Sequence, residues 1–293
     1  MTQAEIMQPG WNSRFQTVNG VNLHVVEAGP AGGRPLILLH GFPEFWWAWR
    51  RQIQPLADAG FRVIVPDMRG YNLSEAPQRL ADYHLDVLAS DVTALASALG
   101  HDRFDLVGHD WGGVVAWWVA VRDPSRVRRL VIMDAPHPDV FAGQILRHPT
   151  QALRSAYAMF FQLPWLPEAT LGAFRFAGLR KMMAATARDG AFEDGDLDHY
   201  VRAWERPRRF TAMLNYYRAL RRRKPHGKSR VTPPTLVLWG AEDSALEVGV
   251  ARESVKLCGD ARLEVLPDAT HWLHLEEPEW VVDLILDHLQ RDG

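Results

Sequence analysis

The chain is poor in cysteine. Its 293 residues hold one, Cys258, so no internal disulfide can form and no group of thiols is available for a structural metal site. Such usage fits a reducing compartment, and a cytoplasmic location is the expectation. No run of about 18 uncharged apolar residues occurs, so no membrane-spanning helix is expected. The opening MTQAEIMQPGWNSRF lacks a basic segment leading into an apolar one and does not read as a signal peptide. A dominant charge is missing too. The 33 Lys+Arg face 35 Asp+Glu for a net −2, which argues against a polyanion-binding role and against nucleic acid as a partner. GPAGG at 29–33 lacks the spacing of a phosphate loop and reads as a surface turn.

What is present is a rhythm. Residues 14–29 alternate around Asn19-Gly20, a dipeptide suited to a tight hairpin turn. Continuous apolar runs follow at 35–41, 62–67, 104–110 and 129–134, then after a long interval at 235–240 and 262–268. Runs apolar on both faces indicate a buried parallel sheet. Helical patterns lie between them at 44–58, 85–99, 113–122, 245–257 and 279–290, the alternation of an α/β fold. The interval 135–230 breaks this rhythm with helical stretches at 144–161, 170–188, 196–204 and 209–223. We read 1–134 and 231–293 as one α/β core domain and 135–230 as an all-helical cap. A cap inserted there would sit beyond the carboxyl ends of the strands, where open α/β sheets bind ligands. The basic residues Arg221, Arg222, Arg223, Lys224, Lys228 and Arg230 read as a solvated connector back to the sheet.

Residues 104–119, FDLVGHDWGGVVAWWV, pose the central chemical question. A strand, a sharp glycine turn and a helix form the context of a nucleophile elbow, whose usual central residue is serine. Here it is Asp110. A carboxylate of ordinary pKa, about 3.9, is ionised at neutral pH and needs no base. Attack on an ester carbonyl would yield a reactive anhydride. Displacement at a saturated carbon instead yields an alkyl ester, which water can cleave at the carboxylate's own carbonyl; serine would be left as a stable ether. Asp110 therefore points to substrates with an electrophilic sp³ carbon, epoxides or alkyl halides.

Cleaving that ester requires a base, a group that orients the base, and an oxyanion hole. His271 in PDATHWLHLEEPE is the candidate base and Asp243 in WGAEDSAL its orienter. The backbone N–H groups of Trp111 and Phe42 are the candidate oxyanion donors. All four positions follow strand patterns, in the order nucleophile, acid, histidine expected around such an elbow. Asp134, ending RLVIMD, is the alternative acid. His274 gives His271 an i,i+3 partner, with no third metal ligand in view. His40 and His109 read as packing or hydrogen-bonding residues. Neither cofactor nor metal is required by this chemistry.

The motifs HGFPE (40–44), PDMRGYNLS (66–74), GHDWGG (108–113), APHP (135–138), YAMFFQLPW (157–165), LNYYRAL (214–220), WGAEDSAL (239–246) and ATHWLHLEEPE (269–279) cover nearly the whole chain. With them the sequence resembles the α/β-hydrolase superfamily and, within it, the soluble-type epoxide hydrolases. GHDWGG is shared with haloalkane dehalogenases; HGFPE together with LNYYR is more specific. The resemblance implies an α/β-hydrolase fold that converts hydrophobic epoxides and water to vicinal diols. It also implies two cap tyrosines whose hydroxyls hold the epoxide oxygen and protonate the opening alkoxide. Tyr157 and Tyr217 match those positions, with Tyr216 the neighbouring alternative to Tyr217. The need is physical: an epoxide's leaving oxygen stays attached and must be protonated, whereas a halide departs as an ion.

Three other readings make different demands. A haloalkane dehalogenase would pair Trp111 with a second indole or amide N–H aimed at halide. Fluoroacetate-type dehalogenases place arginines just after the nucleophile, where this chain has Trp111 and Val114. A non-catalytic hydrolase-fold receptor would show a damaged catalytic set, and this set is complete. Phe160, Phe161, Trp165, Phe174 and Phe176 suggest a cap lined for hydrophobic substrates. A homodimer is compatible with the sequence.

Overall fold

The structure is a computed structural model and describes residues 6–147, 149–220 and 229–291. The hairpin forms as expected. Strands β1 (Asn12–Val18) and β2 (Val21–Ala28) pair antiparallel with Val18 opposite Val21. Asn19 and Gly20 both take positive φ, 47° and 74°, as the two-residue turn requires. The other strands are β3 (Arg34–Leu39), β4 (Phe61–Pro66), β5 (Phe104–His109), β6 (Val127–Met133), β7 (Thr235–Gly240) and β8 (Ala261–Leu266). They complete a sheet of order β1-β2-β4-β3-β5-β6-β7-β8, in which every pair from β4 to β8 is parallel. Leu36, Ile37, Leu38 and Leu39 are fully buried, as are Leu236, Val237, Leu238 and Trp239, because helices cover both faces of the sheet.

In the α/β core the helices are α1 (Ile53–Asp58), α2 (Leu85–Ala98) and α3 (Trp111–Arg122). After β6 come α4 (Pro138–Arg147), α5 (Pro149–Arg154), α6 (Ala156–Phe160), α7 (Leu166–Leu171), α8 (Ala173–Thr186), α9 (Asp196–Trp204) and α10 (Arg209–Leu220). The chain then returns to the sheet and adds α11 (Val248–Val255), α12 (Leu273–Glu276) and α13 (Pro278–Gln290). From β3 the chain turns one way to β4, and from β5 the other way to β6. The crevice between β3 and β5 is therefore the topological switch point of the sheet.

Several expected helices are interrupted. Residues 46–49 form a short 3-10 turn before α1, so the 44–58 pattern is not one helix. The 144–161 pattern divides into three, one piece starting at Pro149, where a ring that cannot donate an N–H suits a first turn. The 170–188 pattern divides too, and Phe174, Arg175 and Phe176 turn left-handed with φ of 51–59°. That turn places Phe176 on Trp204 and Phe210, at ring distances of 5.5 and 5.1 Å, and leaves Phe174 92% exposed. Of the basic connector, Arg221, Arg222, Arg223, Lys224 and Lys228 lie outside the described residues.

The α4–α10 segment is fastened to the core by buried polar contacts. Trp204 donates its indole N–H to the Pro43 carbonyl at 2.6 Å. Tyr216 donates its hydroxyl to the Arg69 carbonyl at 2.7 Å, and Arg50 pairs with Asp196. No described helix is long and apolar enough to cross a membrane.

Candidate active site

Asp110 sits where β5 hands over to α3, with φ 47° and ψ −119°, a conformation costly for any residue with a Cβ. The turn closes only because its neighbours are glycine. A Cβ on Gly108 would stand 2.4 Å from the Gly112 carbonyl oxygen, and one on Gly113 would stand 2.3 Å from the Ala135 Cβ. The strain holds the carboxylate above the sheet at the switch point, facing the loop that follows β3.

That loop supplies the expected donor. The Phe42 N–H donates to Asp110 Oδ1 at 2.6 Å, and the Trp111 backbone N–H lies near enough to favour the charged carboxylate. Oδ1 is thus held by one of the two candidate oxyanion donors. The other, Oδ2, stands 3.7 Å from His271 Nε2. On the far side of the ring, His271 Nδ1 donates to Asp243 Oδ2 at 2.7 Å. Asp243 Oδ1 accepts the N–H groups of Ala245 and Leu246 at 2.7 and 2.9 Å, which aims its second oxygen at the histidine. The order Asp110, His271, Asp243 is continuous.

Asp134 is buried at the end of β6 and its Oδ1 accepts the Gly240 N–H at 2.9 Å. Among the described residues its Oδ2 has no hydrogen-bond partner. Asp243, not Asp134, holds the histidine ring. Burial, reinforced by the charge of Asp243, keeps the Asp134 carboxyl well above the usual carboxylate range.

The charges of the site follow from desolvation and pairing. Burial raises the Asp110 carboxyl, against the pull of His271, His109 and the two backbone donors. Burial would lower His271, but the charge and hydrogen bond of Asp243, with help from Asp110, outweigh it and push the imidazole up to about 10. His271 therefore holds its proton through neutral pH.

A cavity of about 220 Å³ opens above Asp110, with His271, Tyr157, Tyr217, Phe42 and Phe161 in its wall. The rings of Tyr157 and Tyr217 lie 6.0 Å apart, and each phenol perturbs the other. Burial raises both phenols, and the nearby charge of Asp110 raises them further. Tyr216 turns away: it is buried and spends its hydroxyl on Arg69. Of the five aromatics expected to line the cap, Phe161 alone reaches this cavity. Trp165 and Phe174 are 71% and 92% exposed. A helical pattern does not say which face of a short, broken helix looks inward.

Sequence reading missed Glu44. It lies fully buried between two histidines, with Oε2 2.9 Å from His109 Nδ1 and Oε1 3.1 Å from His274 Nε2. His109 Nε2 faces the main-chain oxygen of His271 at 2.8 Å and must donate to it. Burial would raise Glu44, but the two histidines outweigh it and hold it well below the usual range. So the third group beside His274 exists, and the facing atoms of Glu44, His109 and His274 are spent on one another. The only sequence signal was a Glu three residues past the Gly of HGFPE. His40 behaves as expected: its Nε2 accepts the Met68 N–H at 3.0 Å.

The family described as alpha/beta hydrolase fold matches residues 34–278. The chain is 41% identical to the AB hydrolase superfamily protein YfhM of Bacillus subtilis (strain 168), across 96% of this chain and 99% of that protein. It is 37% identical to epoxide hydrolase 4 of Homo sapiens, across 94% of this chain and 77% of that one. An epoxide hydrolase from Bacillus megaterium, crystallised in complex with an inhibitor, superposes with a TM-score of 0.88 at 30% identity; the match covers 95% of this chain and 100% of that one. The chain belongs to the α/β-hydrolase family. Its place there is among the epoxide hydrolases.

Proposed function

We propose that the protein hydrolyses hydrophobic epoxides to vicinal diols through a covalent ester on Asp110. The observation that carries this reading is the division of labour between the two oxygens of Asp110. Oδ1 accepts the backbone N–H of Phe42, leaving Oδ2 beside His271 at the floor of a cavity that two tyrosines also line. Oδ2 attacks an epoxide carbon, the C–O bond of the ring breaks, and a phenolic proton from Tyr157 or Tyr217 passes to the departing oxygen. The alkylated Asp110 has lost its charge, and with it one of the two carboxylates that hold the proton on His271. The phenolate left by ring opening takes the imidazolium proton and is a phenol again. The neutral imidazole then takes a proton from water as hydroxide adds to Cγ. Oδ1 carries the negative charge of the tetrahedral intermediate in the hole formed by Phe42 and Trp111. Collapse breaks the bond from Cγ to the diol oxygen, which takes the proton of the hydroxyl gained from water, leaving Asp110 a carboxylate and His271 an imidazolium as at the start. In this reading residues 135–230 are the cap that brings the tyrosines over the nucleophile. Every proton is supplied by these residues and water.

A dehalogenase would need a second N–H beside Trp111 for halide. The indole in the cavity wall, Trp272, gives its N–H to Thr186 Oγ1 at 3.0 Å, which favours epoxides. The test is a paired assay of purified protein: diol from aryl and alkyl epoxides, and halide from matched haloalkanes. Diol without halide is expected; halide without diol would overturn the reading.

A further inference from the structure

The loop that carries Asp243 is gripped from outside by one helix of the inserted segment. Helix α5 is six residues long, and two of its side chains reach four successive features of that loop. Arg154 Nη1 donates to the Asp243 carbonyl at 2.5 Å. Gln151 Nε2 donates to the Ala245 carbonyl at 2.9 Å, and Gln151 Oε1 accepts the Glu247 N–H at 2.9 Å. Arg154 Nε also lies 3.7 Å from the Glu247 carboxylate. The second N–H of the Gln151 amide goes to Ser155 Oγ at 3.0 Å. That accounts for both donors and the acceptor of a fully buried amide, and it fixes the orientation of the amide. A flipped amide would set oxygen against the Ala245 carbonyl and N–H against the Glu247 N–H.

The same stretch of chain meets the substrate cavity. Arg154 lines it from α5 and Tyr157 from α6, and Ser244 and Ala245 line it from the gripped loop. Asp243 in turn orients His271 at 2.7 Å. We propose that α5 is a clamp, with Gln151 and Arg154 as positioning residues that fix Asp243 and, through it, His271. The clamp keeps the wall that meets the epoxide in register with the base that hydrolyses the ester. The inference rests on the two-step reading above. It assigns the clamp to the second step, since the Phe42 N–H already holds Asp110, which needs no help from the acid loop to attack.

The test separates the two steps. Gln151→Met keeps the size of the side chain and removes its hydrogen bonds. With an aryl epoxide in rapid-quench experiments, ester formation should stay within about twofold of the unaltered protein. Ester hydrolysis should fall by roughly tenfold to a hundredfold, the scale expected for a displaced catalytic group, and the ester should accumulate. The His271 ring, less firmly held by Asp243, should lose its proton at lower pH by NMR. Equal slowing of both steps, or of neither, would overturn the clamp, because a merely structural loss would not favour one step. Should Gln151→Met not fold, Gln151→Glu, which keeps the acceptor for Glu247 and loses the donors to Ala245 and Ser155, provides the same comparison. His271→Gln is the control. If it traps no ester, the two-step reading fails, and the clamp is then judged on the NMR titration, which needs no ester.

Discussion

His271 and Asp110 approach each other at one oxygen only: Nε2 stands 3.7 Å from Oδ2, while Oδ1 accepts the Phe42 N–H at 2.6 Å. The gap is wider than a hydrogen bond, and the two groups are held on separate elements, one after β5 and one after β8. Charge joins them instead. Asp110 helps keep the proton on His271, so the state of the nucleophile sets the readiness of the base.

This coupling has a measurable sign. The His271 imidazole moves from an ordinary 6.5 up to about 10 in the folded protein, so the folded state binds its proton more tightly than the unfolded chain does. The stabilisation is fully present below pH 6.5 and is lost as pH rises toward about 10. In Asp110→Asn, a neutral stand-in for the ester, the His271 proton should leave at lower pH by ring-nitrogen NMR. An unchanged titration would contradict the coupling.

Replacing Asp243 by Asn should slow ester hydrolysis far more than ester formation. Replacing Asp134 by Asn should leave turnover within a few-fold, because Asn still accepts the Gly240 N–H at a site where burial already disfavours the charged carboxyl. Steady-state and single-turnover rates of the two variants check this, and the opposite ranking would make Asp134 the working acid.

The tyrosine pair predicts a contrast between neighbours. Phe at both 157 and 217 should lower ring opening by at least about a hundredfold, the general-acid contribution, with little change in urea midpoint. Phe at 216 should leave kcat nearly unchanged and cost about 1 kcal/mol of stability through the lost bond to Arg69.

Truncating His109 to Leu would leave Glu44 buried with one of its two partners gone. A loss of about 3–5 kcal/mol is expected for a buried carboxylate so exposed, read as a fall in urea midpoint. A loss below about 1 kcal/mol would mean that Glu44 is not charged in the native protein.

The strand segments, the hairpin and the elbow were legible because their signals are local: Asn19-Gly20 encodes its own turn, and Gly108, Gly112 and Gly113 mark a crossing too tight for side chains. Asp110, His271 and Asp243 were legible because each follows a strand in chain order. The choice of Tyr217 over Tyr216 was not, since adjacent helical residues differ by about 100° and the sequence does not say where the core lies. Glu44 and Gln151 owe their surroundings to residues far away in sequence, as with Glu44 and His274, 230 positions apart. Long-range packing of that kind leaves no pattern in any single segment.

The most direct test is intact-mass analysis of His271→Gln after mixing with an aryl epoxide, followed by peptide mapping. The account predicts a mass gain equal to the epoxide, located on the peptide that contains Asp110 and absent in Asp110→Asn. Diol formation with no adduct, or an adduct on another residue, would contradict it.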